Sequence, residues 1–370
     1  MNYKMTITTL TPVHIGTGTE LLNLYDFKVN PHQRKTYRLN VDTILDQALT
    51  GDVAHLDTQL LGRPPAELVE LKELYPGSKF VTYTLDGMPQ PKTEGAGRIN
   101  EQIKDVWGQL YLPGSTVKGA LRTVIARNMG ASETFRPSLQ VDTGADPRQA
   151  AGPIEQTLFG RNPNYDLLRA LQVADSRPVE ANPRLINVRI VKGKQLESPV
   201  DVEAIPPQTV FETRLRTDEY LYKEKRADLE WDPEQTKWLY NLPIAGRNVA
   251  RVRFAQERAY FKRLGLTRLT QIYGIWETSL KQLRRTQTFY LQLGWGGGWD
   301  NKTLGRDLIA GDDAEFADIR NRFKLGQPPG RRDWRAKPED TFPASRRLRV
   351  DAQGQPMEPL GWVEVTLTAL

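Results

Sequence analysis

The chain has no cysteine among its 370 residues. That removes every thiolate nucleophile, CxxC redox pair and cysteine-ligated zinc site, and leaves no disulfide to mark a secreted scaffold. A cytoplasmic setting is the expectation. Long hydrophobic runs are also missing. No apolar stretch approaches the roughly 20 residues that span a bilayer, and the opening MNYKMTITTL lacks the apolar core of a signal peptide. No membrane partner is therefore expected. Histidine is scarce: His14, His32 and His55 are the only three, and their spacing is not that of a metal-ligand set. The 45 acidic residues are scattered, so no pair is assigned to glycosidase or two-metal chemistry, and no cofactor is expected. No repeat of fixed period runs through the chain.

What is present is enough for a core. Hydrophobic residues make up 39% and aromatics 9% of the chain, too many for a disordered polymer. Lys and Arg total 51, which gives a net charge of +6. The basic residues gather at Arg184–Lys194, Arg247–Arg263, Arg284 with Arg285, and Arg346–Arg349. Such stretches suit a polyanion, although each also fits a solvated surface.

Residues 3–10 alternate, with Tyr3, Met5 and Ile7 on one face, and run through Pro12 into Gly16 and Gly18. This is a half-buried strand entering a glycine turn. Residues 361–370 alternate in the same way, so the chain begins and ends in sheet. Between them Val117, Ala120, Leu121, Val124 and Ile125 form the apolar stripe of an amphipathic helix, with Ser115 as its N-cap and Gly130 as its stop. Further strands are expected at 167–174, 185–191, 209–215 and 289–293, and a basic helix at 247–264. Residues 138–153 and 325–338 read as surface loops. The mixture without βαβ regularity favours an α+β fold, with a boundary near Arg216 separating domains at 1–216 and 217–370.

Three constellations carry chemical meaning. In LPGSTVKGALR (112–122) a turn feeds the helix, whose first N–H groups favour an anion. Lys118 and Arg122 are four residues apart, close enough to grip one phosphate path. Gly119 costs a helix interior about 1 kcal/mol, tolerable where something must approach the backbone. An ordinary capped helix with two solvated cations fits the same residues. In LGWGGGWDNKT (293–303) the glycines, among them Gly296, Gly297 and Gly298, let backbone N–H groups face a ligand, the two tryptophans offer stacking surfaces and Lys302 supplies charge. It is not a Walker A loop, because Asn301 stands where the glycine before the lysine should be; a structural turn around buried tryptophans is the competing reading. In TPVHIGTG (11–18) His14 stands beside Gly16 and Gly18, either as an acid–base group in RNA cleavage, as an RNA contact or as a structural histidine.

Taken together, TPVHIGTG, LPGSTVKGALR, LFG at 158–160 and the late glycine-rich loop resemble the RAMP superfamily of CRISPR-associated RNA-binding proteins. VADS at 173–176, EAIPPQTVFE at 203–212, and FPASRRLRV with PLGWVEV near the end are similar to the Csm-type subunit that caps the crRNA 3′ end in type III-A effector complexes. The resemblance implies two ferredoxin-like, RRM-related domains with inserted loops and helices, the interval 19–100 being an insertion beyond the minimal fold. It implies crRNA and the neighbouring backbone subunits as partners, leaves room for target RNA, and assigns His14, Gly16, Gly18, Ser115, Lys118, Gly119, Arg122, Gly296, Gly297, Gly298 and Lys302 to RNA. It further implies a non-catalytic subunit. The alternative is a metal-independent RAMP endoribonuclease that processes repeat RNA with His14 as acid or base.

Overall fold

The computed structural model of the chain describes residues 1–48, 62–90, 97–136, 139–193, 195–223, 229, 231–283, 286–305 and 309–370. The Arg284–Arg285 pair and His55 lie outside the described residues. The strands, in chain order, are β1 (Asn2–Thr9), β2 (Gly16–Leu22), β3 (Phe27–Asn30), β4 (Lys35–Leu39), β5 (Val81–Asp86), β6 (Arg98–Gln102), β7 (Leu171–Val173), β8 (Arg184–Lys192), β9 (Gln195–Ala204), β10 (Val210–Thr217), β11 (Thr288–Gln292), β12 (Ser345–Val350), β13 (Pro356–Pro359) and β14 (Trp362–Ala369). The helices of eight or more residues are α1 (Val41–Ala48), α2 (Gly114–Gly130), α3 (Gly152–Phe159), α4 (Pro233–Tyr240), α5 (Leu242–Arg263), α6 (Thr267–Gln282) and α7 (Asp313–Phe323).

The alternation in residues 3–10 does what its period requires: Met5 and Ile7 are fully buried, while Lys4 reaches Glu212 on the opposite face. β1 is flanked by β14 on one side and β10 on the other in an antiparallel sheet of order β11-β14-β1-β10-β7. With α2 between β1 and β7, this is the ferredoxin-like arrangement. Helices α2 and α5 cover it, and Val117, Leu121 and Ile125 join Phe211, Phe289 and Val365 in one core. The outermost elements of the chain thus complete a single sheet, and position 216, at the end of β10, separates stretches of sequence without separating sheets.

The second sheet runs β2-β6-β9-β8-β5-β4-β3, with β12 and β13 continuing from β8. It holds the strands described within 19–100, none of which joins the first sheet, as an insertion beyond that sheet requires. β3, β4 and β5 extend the sheet from β8, and Phe27, Leu85 and Ile99 close a core with Leu185. Residues 167–170 form a 3₁₀ turn, so that only Leu171–Val173 of the expected strand is extended. The fold is α+β, with two ferredoxin-like domains between which the chain passes several times, first in the segment that leaves β1 and enters β2.

Candidate nucleic-acid interface

That joining segment, residues 11–15, is held by backbone groups from distant parts of the chain. Val13 exchanges hydrogen bonds with Ile205 at 3.1 and 2.8 Å, the Ile103 N–H donates to Ile15 O at 2.8 Å, and the Trp295 N–H donates to His14 O at 2.8 Å. The Ile15 N–H donates to Gln102 Oε1 at 2.9 Å. Both sheets and the glycine-rich loop therefore converge on His14.

His14 is buried, with 4% of the residue exposed. Its Nδ1 lies 2.6 Å from the carbonyl oxygen of Glu203; a carbonyl only accepts, so Nδ1 carries the proton and Nε2 keeps its lone pair. Burial, with a smaller contribution from the nearby Lys104 ammonium, pulls the pKa down to about 4 against the opposing pull of the Glu203 carbonyl. At neutral pH His14 is thus an uncharged hydrogen-bond acceptor. Behind it the Glu203 carboxylate is fully satisfied: Lys104 Nζ donates at 2.6 Å, the Tyr83 hydroxyl at 2.7 Å and the Gln102 N–H at 3.0 Å. Desolvation and that carboxylate push the Tyr83 hydroxyl pKa up, so it stays a donor.

In front of His14 opens a cleft of about 820 Å³. One wall is β2 and β6, with Gly16, Gly18 and Glu101; the opposite wall is α2, with Thr116, Gly119 and Thr123; the third is the loop from Gln292 to Lys302. Thr116, Gly119 and Thr123 follow helical spacing, a small polar face that the apolar periodicity of α2 conceals. A Cβ on Gly119 would meet nothing within 4 Å, so its absence bares helix backbone to the cleft.

The structure divides the expected site residues. His14, Gly16, Gly18, Gly119 and Lys302 meet around the cleft. Lys118 and Arg122 face away from it, toward residues 163–169. Arg122 donates to Asp166 at 2.8 Å and lies 3.8 Å above the Phe159 ring, so it is engaged within the protein. Lys118 is half-buried and its ammonium pKa is lowered by desolvation, against the pull of Asp166. Ser115 is exposed within the first turn and is no N-cap: Pro113 holds that position, and the Gly114 N–H is taken by Asp175 Oδ1 at 2.7 Å. The start of α2 is accordingly occupied by a carboxylate of the chain itself.

The late glycines also have separate duties. Gly294, at φ +68, brings its backbone so close that a Cβ would lie 2.2 Å from His14 O. Gly296, at φ +106, packs on Leu360. Gly297 is right-handed, at φ −65, and begins the short turn Gly298–Lys302; a Cβ there would strike the Asn301 side chain, whose Nδ2 donates to Gln292 O at 3.0 Å. Gly296, Gly297 and Gly298 thus shape the loop without lining the cleft. Of the two tryptophans, Trp299 packs internally against Phe316 and Phe342, whereas Trp295 borders the cleft edge-on to His14 with the Arg347 guanidinium 5.0 Å over its ring.

Several basic stretches are internal. Arg253 pairs with Asp300 of the loop at 2.8 Å, Arg346 with Glu257 at 2.8 Å, and Arg247 donates to the carbonyls of Thr286 and Thr288. Arg127 of α2 donates to the carbonyls of Asp300 and Thr303. These bonds pin the loop to both helices. Among the described residues no group of three or more His, Asp or Glu stands where it could hold a metal ion, and no helix is long and apolar enough to cross a membrane.

A ferredoxin-like sheet bearing a glycine-rich loop that closes over the first strand's histidine turn defines a RAMP-type protein, and the RAMP superfamily model matches residues 6–299. The chain belongs to the RAMP superfamily. Within it, the chain is similar to the Csm5 proteins of CRISPR systems. It is 23% identical to that of Methanocaldococcus jannaschii over 269 residues, covering 70% of this chain and 62% of the relative. It is 28% identical to that of Streptococcus thermophilus over 239 residues, covering 58% and 64%. The matches thus span about three-fifths of the length of these curated relatives. The fold is shared with a chain of a Csm–crRNA–target RNA ternary complex from a type III-A CRISPR-Cas system, with a TM-score of 0.67, 22% identity and coverage of 99% and 100%. It is shared too with the crystal structure of T. onnurineus Csm5, with a TM-score of 0.65, 22% identity and coverage of 97% and 99%.

Proposed function

We propose that this protein is a non-catalytic, cytoplasmic, crRNA-binding subunit of a type III-A CRISPR effector complex, capping the crRNA 3′ end and contacting the adjacent backbone subunit. The observation that carries the reading is the convergence of the three motifs on one cleft, together with the names of the relatives. Such a cleft suits a sugar–phosphate backbone: bared helix backbone at Gly119, exposed Lys302 for a phosphate, Trp295 for a base face and the neutral Nε2 of His14 as acceptor for a ribose 2′-hydroxyl. The carboxylates on the β2–β6 wall are engaged within the protein, Glu20 with Arg98 at 2.8 Å and Glu101 with the Thr17 hydroxyl at 3.3 Å.

The endoribonuclease alternative asks His14 to carry a proton near neutrality. Its pKa of about 4 and its single free nitrogen suit an acceptor and make it a weak general acid or base there. The test is to incubate the full chain with labelled repeat-spacer RNA in EDTA and resolve binding and cleavage separately. Binding without cleavage is expected, and Lys302→Ala should reduce the log–log salt slope by about 0.7, the value for one phosphate of a single strand. Cleavage that disappears in His14→Ala would establish the nuclease instead.

A further inference from the structure

The connection from β6 to α2 carries a tight turn at 105–109 that the cleft does not use. At its tip Val106 is 91% and Trp107 84% exposed, the two most exposed large apolar side chains among the described residues. Single exposed apolar residues are ordinary; two adjacent ones on a turn this firmly held are not. Asp105 Oδ1 accepts the N–H groups of Trp107 at 2.9 Å and Gln109 at 2.7 Å. The Gly108 N–H donates to Asp105 O at 3.0 Å, the Asp105 N–H to Gln109 O at 2.9 Å, and Gly108 takes the left-handed φ of +78 that the turn requires. At the base Lys104 bridges to Leu110, and its ammonium is clamped by Glu203.

We infer that Val106 and Trp107 form a preorganised anchor that enters an apolar pocket on a neighbouring protein subunit, a reading that rests on the proposed place of this chain in a multisubunit complex. Protein is favoured over RNA on three grounds. The charge that the turn itself presents is the Asp105 carboxylate, which repels phosphate, and the adjacent Lys104 ammonium is buried. Val106 has no π face on which a base can stack. Neither residue borders the cleft. Tryptophan on a fixed turn is also the side chain that dominates protein–protein contacts, because it brings large area with little left to order.

The experiment compares the wild-type full chain with V106S/W107S and D105A for melting temperature, affinity for labelled crRNA, and affinity for the purified backbone subunit of the same complex. For V106S/W107S, melting temperature and RNA affinity should stay at the wild-type value while subunit affinity falls by about thirtyfold or more, as for loss of a hot spot. D105A keeps both apolar side chains and releases the turn, so subunit affinity should fall by about two- to tenfold. Unchanged subunit affinity in V106S/W107S overturns the inference. So does a loss confined to RNA affinity, which would make Trp107 a base-stacking residue, or a loss of self-association, which would seat the turn on a second copy. A wild-type chain that binds RNA but not the backbone subunit sinks this inference and leaves RNA binding intact; one that binds the subunit but not RNA does the reverse.

Discussion

At the scale of single residues, His14 couples the site to stability. Its pKa is about 4 in the folded chain against 6.5 for an ordinary histidine, so the unfolded chain takes up a proton that the folded one refuses. Stability is unaffected above about pH 6.5, falls as the pH drops through the window between 6.5 and 4, and then levels. By linkage, roughly 3 kcal/mol is lost across that window. Between pH 7 and pH 4 the wild type should lose roughly 3 kcal/mol more unfolding free energy, measured by urea titration, than His14→Gln, because other groups titrate alike in both. Glycines give a second comparison. Gly294 and Gly298 both have positive φ, at +68 and +72, but a Cβ meets His14 O at 2.2 Å in the first and nothing within 4 Å in the second. Gly298→Ala should cost about 1–2 kcal/mol for the backbone alone, and Gly294→Ala clearly more, since it also breaks the bond between Trp295 and His14. Equal melting temperatures for the two variants would contradict the close approach.

At the scale of elements, α2 shows what a sequence displays and what it hides. Its apolar stripe was legible because Val117, Leu121 and Ile125 are neighbours on the helix, and β1, β10, β11, β14 and α5 were legible from equally local patterns. The cap was not: Asp175, which takes the Gly114 N–H, lies some sixty residues away and nothing near Ser115 announces it. The direction of Arg122 was hidden for the same reason, since Asp166 and Phe159 compete with any phosphate for it. β3, β4 and β5 escaped notice because short, interrupted strands become recognisable only beside β8, whose sequence comes much later. Of the residues that line the cleft, His14, Gly16, Gly18, Gly119 and Lys302 stand in the three motifs singled out in the sequence and Trp295 was read there as a stacking surface, whereas Thr116 and Thr123 carry no local signal. Two predictions belong here. Gly119→Ala fills open space on a helix and should stabilise the protein by about 0.5–1 kcal/mol, yet weaken crRNA binding where the backbone is approached; stabilisation without loss of affinity removes Gly119 from the interface. Arg122→Ala should lower the melting temperature and leave the salt slope of RNA binding unchanged, whereas a flattened slope would return Arg122 to the phosphate path.

At the scale of the whole molecule, the decisive contact joins the two ends. β1 bonds along its length to β14, and the Leu370 N–H donates to Asn2 O at 3.0 Å. A fragment of residues 1–216 keeps β1, β7, β10 and α2 but loses β14, β11 and α5, and with them the Phe289 and Val365 side chains of the shared core. It should show no cooperative thermal transition; a sharp one would make the first 216 residues a domain in their own right. The same pairing sets a schedule for the protein's birth. β14 follows β1 by about 350 residues of synthesis, so at about 5–20 residues per second the strand waits roughly 20–70 seconds with that flank unpaired. Through that interval a nascent chain offers an open strand edge to every other nascent chain on the same message, and the synthesis of β14 both completes the sheet and withdraws that invitation.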